Sequence, residues 1–153
     1  MANINEDTID TLNDLIETSK DGEYGFRTSA EASRSTDIQQ LFTRRADECR
    51  QAVAELQALV VQLGGTPEDS GSTAGAMHRG WVAVKSALST ATEKSVLEEA
   101  ERGEDVAMNN YRDALASDLT PAARALVELQ MEGVKRNHAQ LRMLRDQARA
   151  ASN

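Results

Sequence analysis

The chain has 153 residues, with 17 lysines and arginines against 25 aspartates and glutamates, and a formal net charge of -8. This acidic balance argues against nucleic-acid binding, because phosphate contacts need a basic surface, and against docking on an anionic membrane. The length suits one domain over residues 1–153, and the single cysteine together with the lack of an N-terminal secretory pattern predicts a cytoplasmic protein.

Apolar residues recur at steps of three and four along four long segments, which is typical of helices that bury one face. The long helices are predicted at residues 5–33, 37–63, 93–116 and 121–150, with a shorter helix at 74–88. The Ser-Thr pair at 35–36 and Thr120 before Pro121 predict helix starts, and Gly64 with Gly65 predicts a stop. Because no segment alternates with period two, we expect an all-α fold without a sheet.

Ionisable residues interrupt the apolar stripe of each long helix. They are Glu23, Arg45, Glu48, Glu101, Glu104 and His138. Counting from the two hairpin turns places the four glutamates and His138 at nearly the same height. The 64–92 connection is long enough to cross the bundle, so the third long helix is expected to run parallel to the second. These five residues are therefore predicted to lie within about one helical turn of a common level.

Two interpretations of this level remain open. In the first, Glu23, Glu48, Glu101, Glu104 and His138 bind metal, because buried like-charged carboxylates are costly unless cations neutralise them. Oxygen and imidazole ligands suit iron, manganese or zinc. In the second, an arginine, Arg45, pairs with Glu23 or Glu104 in a metal-free ion network that fixes helix register.

Other residues carry weaker signals. Cys49 is expected to be a small buried hydrophobe, and His78 and Trp81 are expected to pack on the outside of the bundle or to form a lid. The last helix carries basic residues at 135, 136, 142, 145 and 149, which predict a solvated face that could pair with acidic faces in a homodimer. No phosphate loop, CxxC or GxSxG motif is present, so no small-molecule substrate is identified.

The sequence resembles the ferritin-like superfamily, and more narrowly an uncharacterised bacterial four-helix-bundle family. The matching stretches are LNDLIE at 12–17, DGEYGFR at 21–27, LGGTPEDSGS at 63–72, MHRGW at 77–81, EAERGED at 99–105, and His138. The resemblance implies a ferritin-like bundle with a long crossover, containing a short helix, between the second and third long helices. It implies no established activity.

The sequence departs from the di-iron pattern of that superfamily. Di-iron bundles carry Glu-x-x-His on two helices, but Gln51 follows Glu48 by three positions and Lys135 precedes His138 by three. The departure weighs against oxygen-activating di-iron catalysis. The sequence therefore predicts either a ferritin-like bundle that binds metal through a mid-bundle Glu/His layer, or a non-catalytic structural or interaction bundle without metal, with a stress-related role as one option.

Overall fold

The computed structural model describes residues 3–68 and 92–151. These residues form four α-helices: α1 (Ile4–Ala32), α2 (Thr36–Gln62), α3 (Glu93–Ala116) and α4 (Pro121–Ala151). The all-α prediction is confirmed for this part of the chain, and the four long helices begin and end within one residue of their expected bounds. The short helix expected at 74–88, with His78 and Trp81, lies outside the described residues.

Polar side chains cap the start of each helix, which is why the sequence predicts where the helices begin. The Ser35 hydroxyl accepts a hydrogen bond from the backbone N–H of Ile38 at 3.4 Å and begins α2. Thr92 and Ser95 form a reciprocal capping box at the start of α3, with bonds of 2.9 and 3.1 Å. At the end of α2, Gly64 adopts a φ of +85°, a left-handed conformation that favours glycine.

The pairing of helix ends gives the direction of each helix. The start of α2 (Ile38) and the start of α3 (Val96) share one apolar cluster. The end of α2 (Leu59) and the end of α3 (Ala114) share another. Helices α2 and α3 therefore run in the same direction, and residues 63–92 must connect opposite ends of the bundle.

The chain leaves α2 along the surface of α1. The side chain of Asn13 accepts a hydrogen bond from the Glu68 backbone N–H at 2.8 Å and donates one to the Thr66 carbonyl at 3.2 Å. Two of the stretches that carry the family resemblance, 12–17 and 63–72, are thus in direct contact. Asn13 fixes where the crossover begins.

The hydrophobic core consists of two clusters separated along the bundle axis. One contains Leu12, Ile16, Leu56, Val127 and their neighbours, and the other contains Phe26, Phe42, Leu97, Leu141 and their neighbours. Buried polar side chains occur between or beside these clusters. Those that matter for the site are Ser19, Arg45, Glu104 and Asn137, and we call them the polar layer.

No helix within residues 3–68 and 92–151 combines the length and apolar character needed to cross a membrane.

Candidate functional site

An ion pair between α2 and α3 lies in the interior of the bundle. Arg45 donates from Nε to Glu104 Oε2 at 2.9 Å and from Nη2 to Glu104 Oε1 at 3.0 Å. Only 8% of the Arg45 side chain and 2% of the Glu104 side chain are exposed. This two-pronged geometry is the strongest form of arginine–carboxylate contact, because both hydrogen bonds are charge-assisted.

The other two helices also contact this ion pair. The amide nitrogen of Asn137, on α4, donates to Glu104 Oε2, and the Arg45 guanidinium carbon lies 5.5 Å from the centre of the Phe26 ring on α1. Burial opposes the charge on Arg45, but the Glu104 carboxylate outweighs it, so the pKa of Arg45 is raised. Both oxygens of Glu104 are therefore committed to protein donors.

Glu101 forms a separate group one helical turn away on α3. Its Oε1 accepts a hydrogen bond from Arg145, and its Oε2 lies 3.6 Å from Arg142 Nε and 3.9 Å from His138 Nε2. The same His138 nitrogen is hydrogen-bonded to Asp105. His138 therefore lies between two carboxylates, while two arginines from α4 neutralise Glu101.

The remaining two predicted ligands are Glu23 on α1 and Glu48 on α2. Glu23 accepts hydrogen bonds from Arg27 at 3.0 and 3.3 Å. Glu48 is exposed, and it forms no hydrogen bond or ion pair with any residue of the described ranges. The structure thus brings together Glu101 and His138, holds Glu104 with Arg45, and leaves Glu23 and Glu48 outside both groups.

A metal ion of the predicted kind needs several oxygen or nitrogen donors arranged around one point. Within the two described ranges, no group of three or more His, Cys, Asp or Glu side chains is arranged to hold one. As a ligand, Glu104 would bring a metal ion next to the Arg45 guanidinium, whose positive charge repels it. The five predicted residues therefore do not fit a shared metal in this arrangement, and the metal site remains a prediction.

Cys49 and Tyr111 are the buried groups with reactive heteroatoms closest to the polar layer. Burial is the main cause that raises the pKa of the Cys49 thiol from 9.0 to about 12, and the carboxylates of Glu104, Glu48 and Glu23 raise it further. Burial also raises the pKa of Tyr111 from 10.0 to about 12. Neither group is poised to ionise near neutral pH, so neither resembles an activated nucleophile.

Two clefts reach the polar layer from opposite sides of the bundle. One, of about 320 Å³, opens between α1 and α3, and the other, of about 440 Å³, opens between α2 and α4. The residues that line both are Ser19, Arg45, Cys49 and Tyr111. The Tyr111 hydroxyl, which donates to Gln130 Oε1 at 2.8 Å, therefore lies in the wall between the clefts.

Sequence reasoning did not identify Asn137, Arg145 or Asp105 as members of these groups. Asn137 immediately precedes His138, and the rotation of α4 places its amide on Glu104. A signal was available for Arg145, which lies seven residues after His138 and so on the same face of the helix.

The family comparison matches the region that holds the buried pair. The model described as "Domain of unknown function (DUF2383)" matches residues 7–117, which is more than half of the chain. The chain belongs to this family. No curated protein matches the chain. The DUF2383 match includes Arg45, Glu101 and Glu104 but stops before α4, which supplies Asn137 and His138.

Proposed function

We propose that this DUF2383 domain is a non-catalytic interaction bundle whose polar layer fixes the register of its helices. The observation that carries the proposal is the Arg45–Glu104 pair, in which both carboxylate oxygens accept hydrogen bonds from arginine and one also accepts from Asn137. A buried carboxylate that is neutralised by a protein cation has no need of a metal ion. Buried pairs of this kind serve register in some helical proteins.

The chemistry of the other buried groups supports a non-catalytic role. The pKa values of Cys49 and Tyr111 are both raised to about 12, so each keeps its proton at neutral pH. A general base or nucleophile needs a pKa nearer the working pH. In the described part of the chain, the buried Arg45 and Glu104 are thus paired with each other, and the outer helix faces remain for contacts.

Elemental analysis tests this proposal directly. The full chain would be purified without an affinity tag or chelator and analysed before and after loading with Fe(II), Mn(II) and Zn(II). We expect no stoichiometric metal and an unchanged circular dichroism spectrum in chelator. Stoichiometric metal that is lost in Glu101→Ala but kept in Glu99→Ala, a surface control on the same helix, would overturn the proposal.

A second candidate function is metal binding by a ferritin-like bundle. One observation favours it: the His138 imidazole lies between Asp105 and Glu101, with Nε2 3.9 Å from Glu101 Oε2. Carboxylates and imidazole together suit iron, manganese or zinc. The full set of Glu23, Glu48, Glu101, Glu104 and His138 would require Arg45 to leave Glu104, so metal loading should also change the environment of Phe26, over which Arg45 lies.

The same elemental analysis separates the two candidates. Under the second, His138→Ala and Glu104→Ala each lose metal, and near-ultraviolet circular dichroism changes on loading because Arg45 moves. Under the first, neither variant changes the metal content, since none is bound.

A further inference from the structure

Helices α2 and α4 diverge and leave a groove between them. They share far fewer contacts than the other neighbouring pairs of helices. The floor of the groove includes Ala52, Tyr111 and Val134, and the walls include Glu48 on α2 and Leu129 on α4. Its volume of about 440 Å³ is large enough to accept side chains from another helix.

One face of α4 continues from this groove to the surface. Its residues follow each other at steps of three or four and are Leu129, Gly133, Arg136, Gln140 and Met143. We call them the α4 stripe. Leu129 is 69% exposed and Met143 is 54% exposed. The stripe thus has a large exposed apolar side chain at each end, and the one at Leu129 borders the groove.

Gly133 lies in the middle of the stripe and lines the groove. A Cβ added there would meet no heavy atom closer than Arg136 Nη2 at 3.7 Å, an ordinary contact. Packing within the described chain therefore does not require glycine, although glycine weakens a helix interior. A residue without a side chain at this position allows a second helix to approach α4 closely.

The charges on the two sides of the groove are complementary. The α2 wall carries three carboxylates, Asp47, Glu48 and Glu55, against one exposed arginine, Arg44, so its net charge is negative. The α4 stripe carries Arg136. Neither Glu48 nor Arg136 forms a hydrogen bond or ion pair with another residue in the ranges that the structure describes. Glu48 acts on the buried Arg45 only through its charge, without an ion-pair contact, and a symmetric pair of chains would bring Glu48 and Arg136 together twice.

We propose that a second copy of this chain docks in the groove, so that the α4 stripe of each copy packs into the α2–α4 groove of the other. The two α4 helices cross near Gly133, and Arg136 of each copy faces the acidic α2 wall of the other. This dimer names the partner of the interaction function proposed above and rests on that function.

Sedimentation velocity of the full chain over a dilution series tests the dimer. We expect a species of twice 16.6 kDa at the higher concentrations. Gly133→Leu introduces a good helix former into α4 but fills the point where the two helices cross. Leu129→Asp places a charge in the apolar contact. Each should raise the dissociation constant by about tenfold or more. Val61→Asp is the matched control, because Val61 is 59% exposed but does not line the groove.

A charge exchange provides a test that does not depend on packing. Arg136→Glu should weaken the dimer, and Glu48→Lys in the same chain should restore it, because the pair is re-formed with its signs reversed. Four of the five residues changed in these variants, Glu48, Val61, Leu129 and Arg136, are exposed, so the fold is expected to survive in those variants. Circular dichroism checks the fold of every variant, including Gly133→Leu.

The outcomes separate this inference from the function on which it rests. A monomer at every concentration, or a dimer that Gly133→Leu, Leu129→Asp and Arg136→Glu leave unchanged, would overturn the inference while the metal-free layer stands. Stoichiometric metal at the polar layer would overturn the proposed function. The dimer would still be tested independently by the groove and stripe variants.

Discussion

Arg45 on α2 donates hydrogen bonds of 2.9 and 3.0 Å to the two carboxylate oxygens of Glu104 on α3, inside the bundle. The two helices run in the same direction and are separated by residues 63–92 in the chain, so no short turn sets their relative height. A two-pronged ion pair tolerates little sliding, because both hydrogen bonds need the same alignment. The pair therefore fixes the relative height of α2 and α3, as the short turn between Ala32 and Thr36 fixes that of α1 and α2.

Removing one partner should be costly because it leaves the other charge buried. We expect Glu104→Ala to lower the free energy of unfolding by about 3–5 kcal/mol, since Arg45 then has no carboxylate. The double variant Arg45→Met with Glu104→Leu should recover most of this loss, because no unpaired charge remains. Urea unfolding followed by circular dichroism measures both.

The matched control is a surface pair on the same helix. Arg102 bonds Glu99 at 2.7 Å, but its side chain is 46% exposed. Arg102→Ala should therefore cost only about 0–1 kcal/mol. Equal losses in Glu104→Ala and Arg102→Ala would show that the buried pair does not contribute as argued.

Gly22 on α1 faces Cys49 on α2 at very close range. A Cβ at residue 22 would lie 2.9 Å from Cys49 Sγ, which is closer than real Cβ atoms approach. Gly22→Ala should destabilise the protein by about 1–3 kcal/mol through overpacking. In a Cys49→Ala background the same change should be harmless or stabilising, because the clash is gone and alanine favours the helix. Thermal unfolding of the four chains measures the coupling.

A loss that is the same in both backgrounds would contradict this contact. Gly133→Ala provides a further comparison, since its Cβ meets only Arg136 Nη2 at 3.7 Å. That change should not destabilise a single chain.

The sequence predicted the helices well because the information is local. Apolar periodicity and capping residues depend on neighbours in the chain, and the Ser35, Thr92 and Thr120 hydroxyls accept hydrogen bonds at the helix starts. The first helix differs slightly: Asn3 caps α1, so the helix begins one residue before the predicted start at residue 5.

The composition of the site was harder to predict because helix rotation decides it. Each residue turns the side chain by about 100°, so Glu48, next to the buried Cys49, points to solvent. The length of the arginine side chain adds a second uncertainty, because Arg27, one helical turn later, donates a hydrogen bond to Glu23. Height along the bundle could be counted from the sequence, and it put Glu101 level with His138, whose Oε2 and Nε2 atoms lie 3.9 Å apart. The choice between Glu23 and Glu104 as the partner of Arg45 required the structure.

Cys49 should be almost unreactive in the folded protein. Burial raises the pKa of its thiol from 9.0 to about 12, and only the thiolate attacks alkylating reagents. We expect labelling by iodoacetamide at mildly alkaline pH to be at least about 100-fold slower in native protein than in urea. Mass spectrometry over time measures the rates. Fast labelling without denaturant would mean that α1 and α2 separate readily at Gly22.

The raised pKa values of Cys49 and Tyr111 predict how stability depends on alkaline pH. In the folded chain both groups keep their protons to about pH 12, whereas the ordinary pKa values that apply after unfolding are 9.0 and 10.0. Below pH 9 both states are protonated, so the contribution of these groups is complete and constant. Between pH 9 and about 12 the unfolded chain binds fewer protons, so the free energy of unfolding falls as the pH rises.

The slope of that fall identifies the groups responsible. Each pKa unit corresponds to about 1.4 kcal/mol, so Cys49→Ala should flatten the decline between pH 9 and 11 even though the lost sulfur lowers stability at every pH. Tyr111→Phe should flatten it above pH 10, where the phenol begins to titrate in the unfolded chain. Tyr24→Phe is the matched control, because Tyr24 is 38% exposed. Urea unfolding at several alkaline pH values measures the slopes.

If Cys49→Ala and Tyr111→Phe kept the slope of the parent protein, the two groups would be accessible to hydroxide in the folded chain, and the two clefts that meet at them would be open to water.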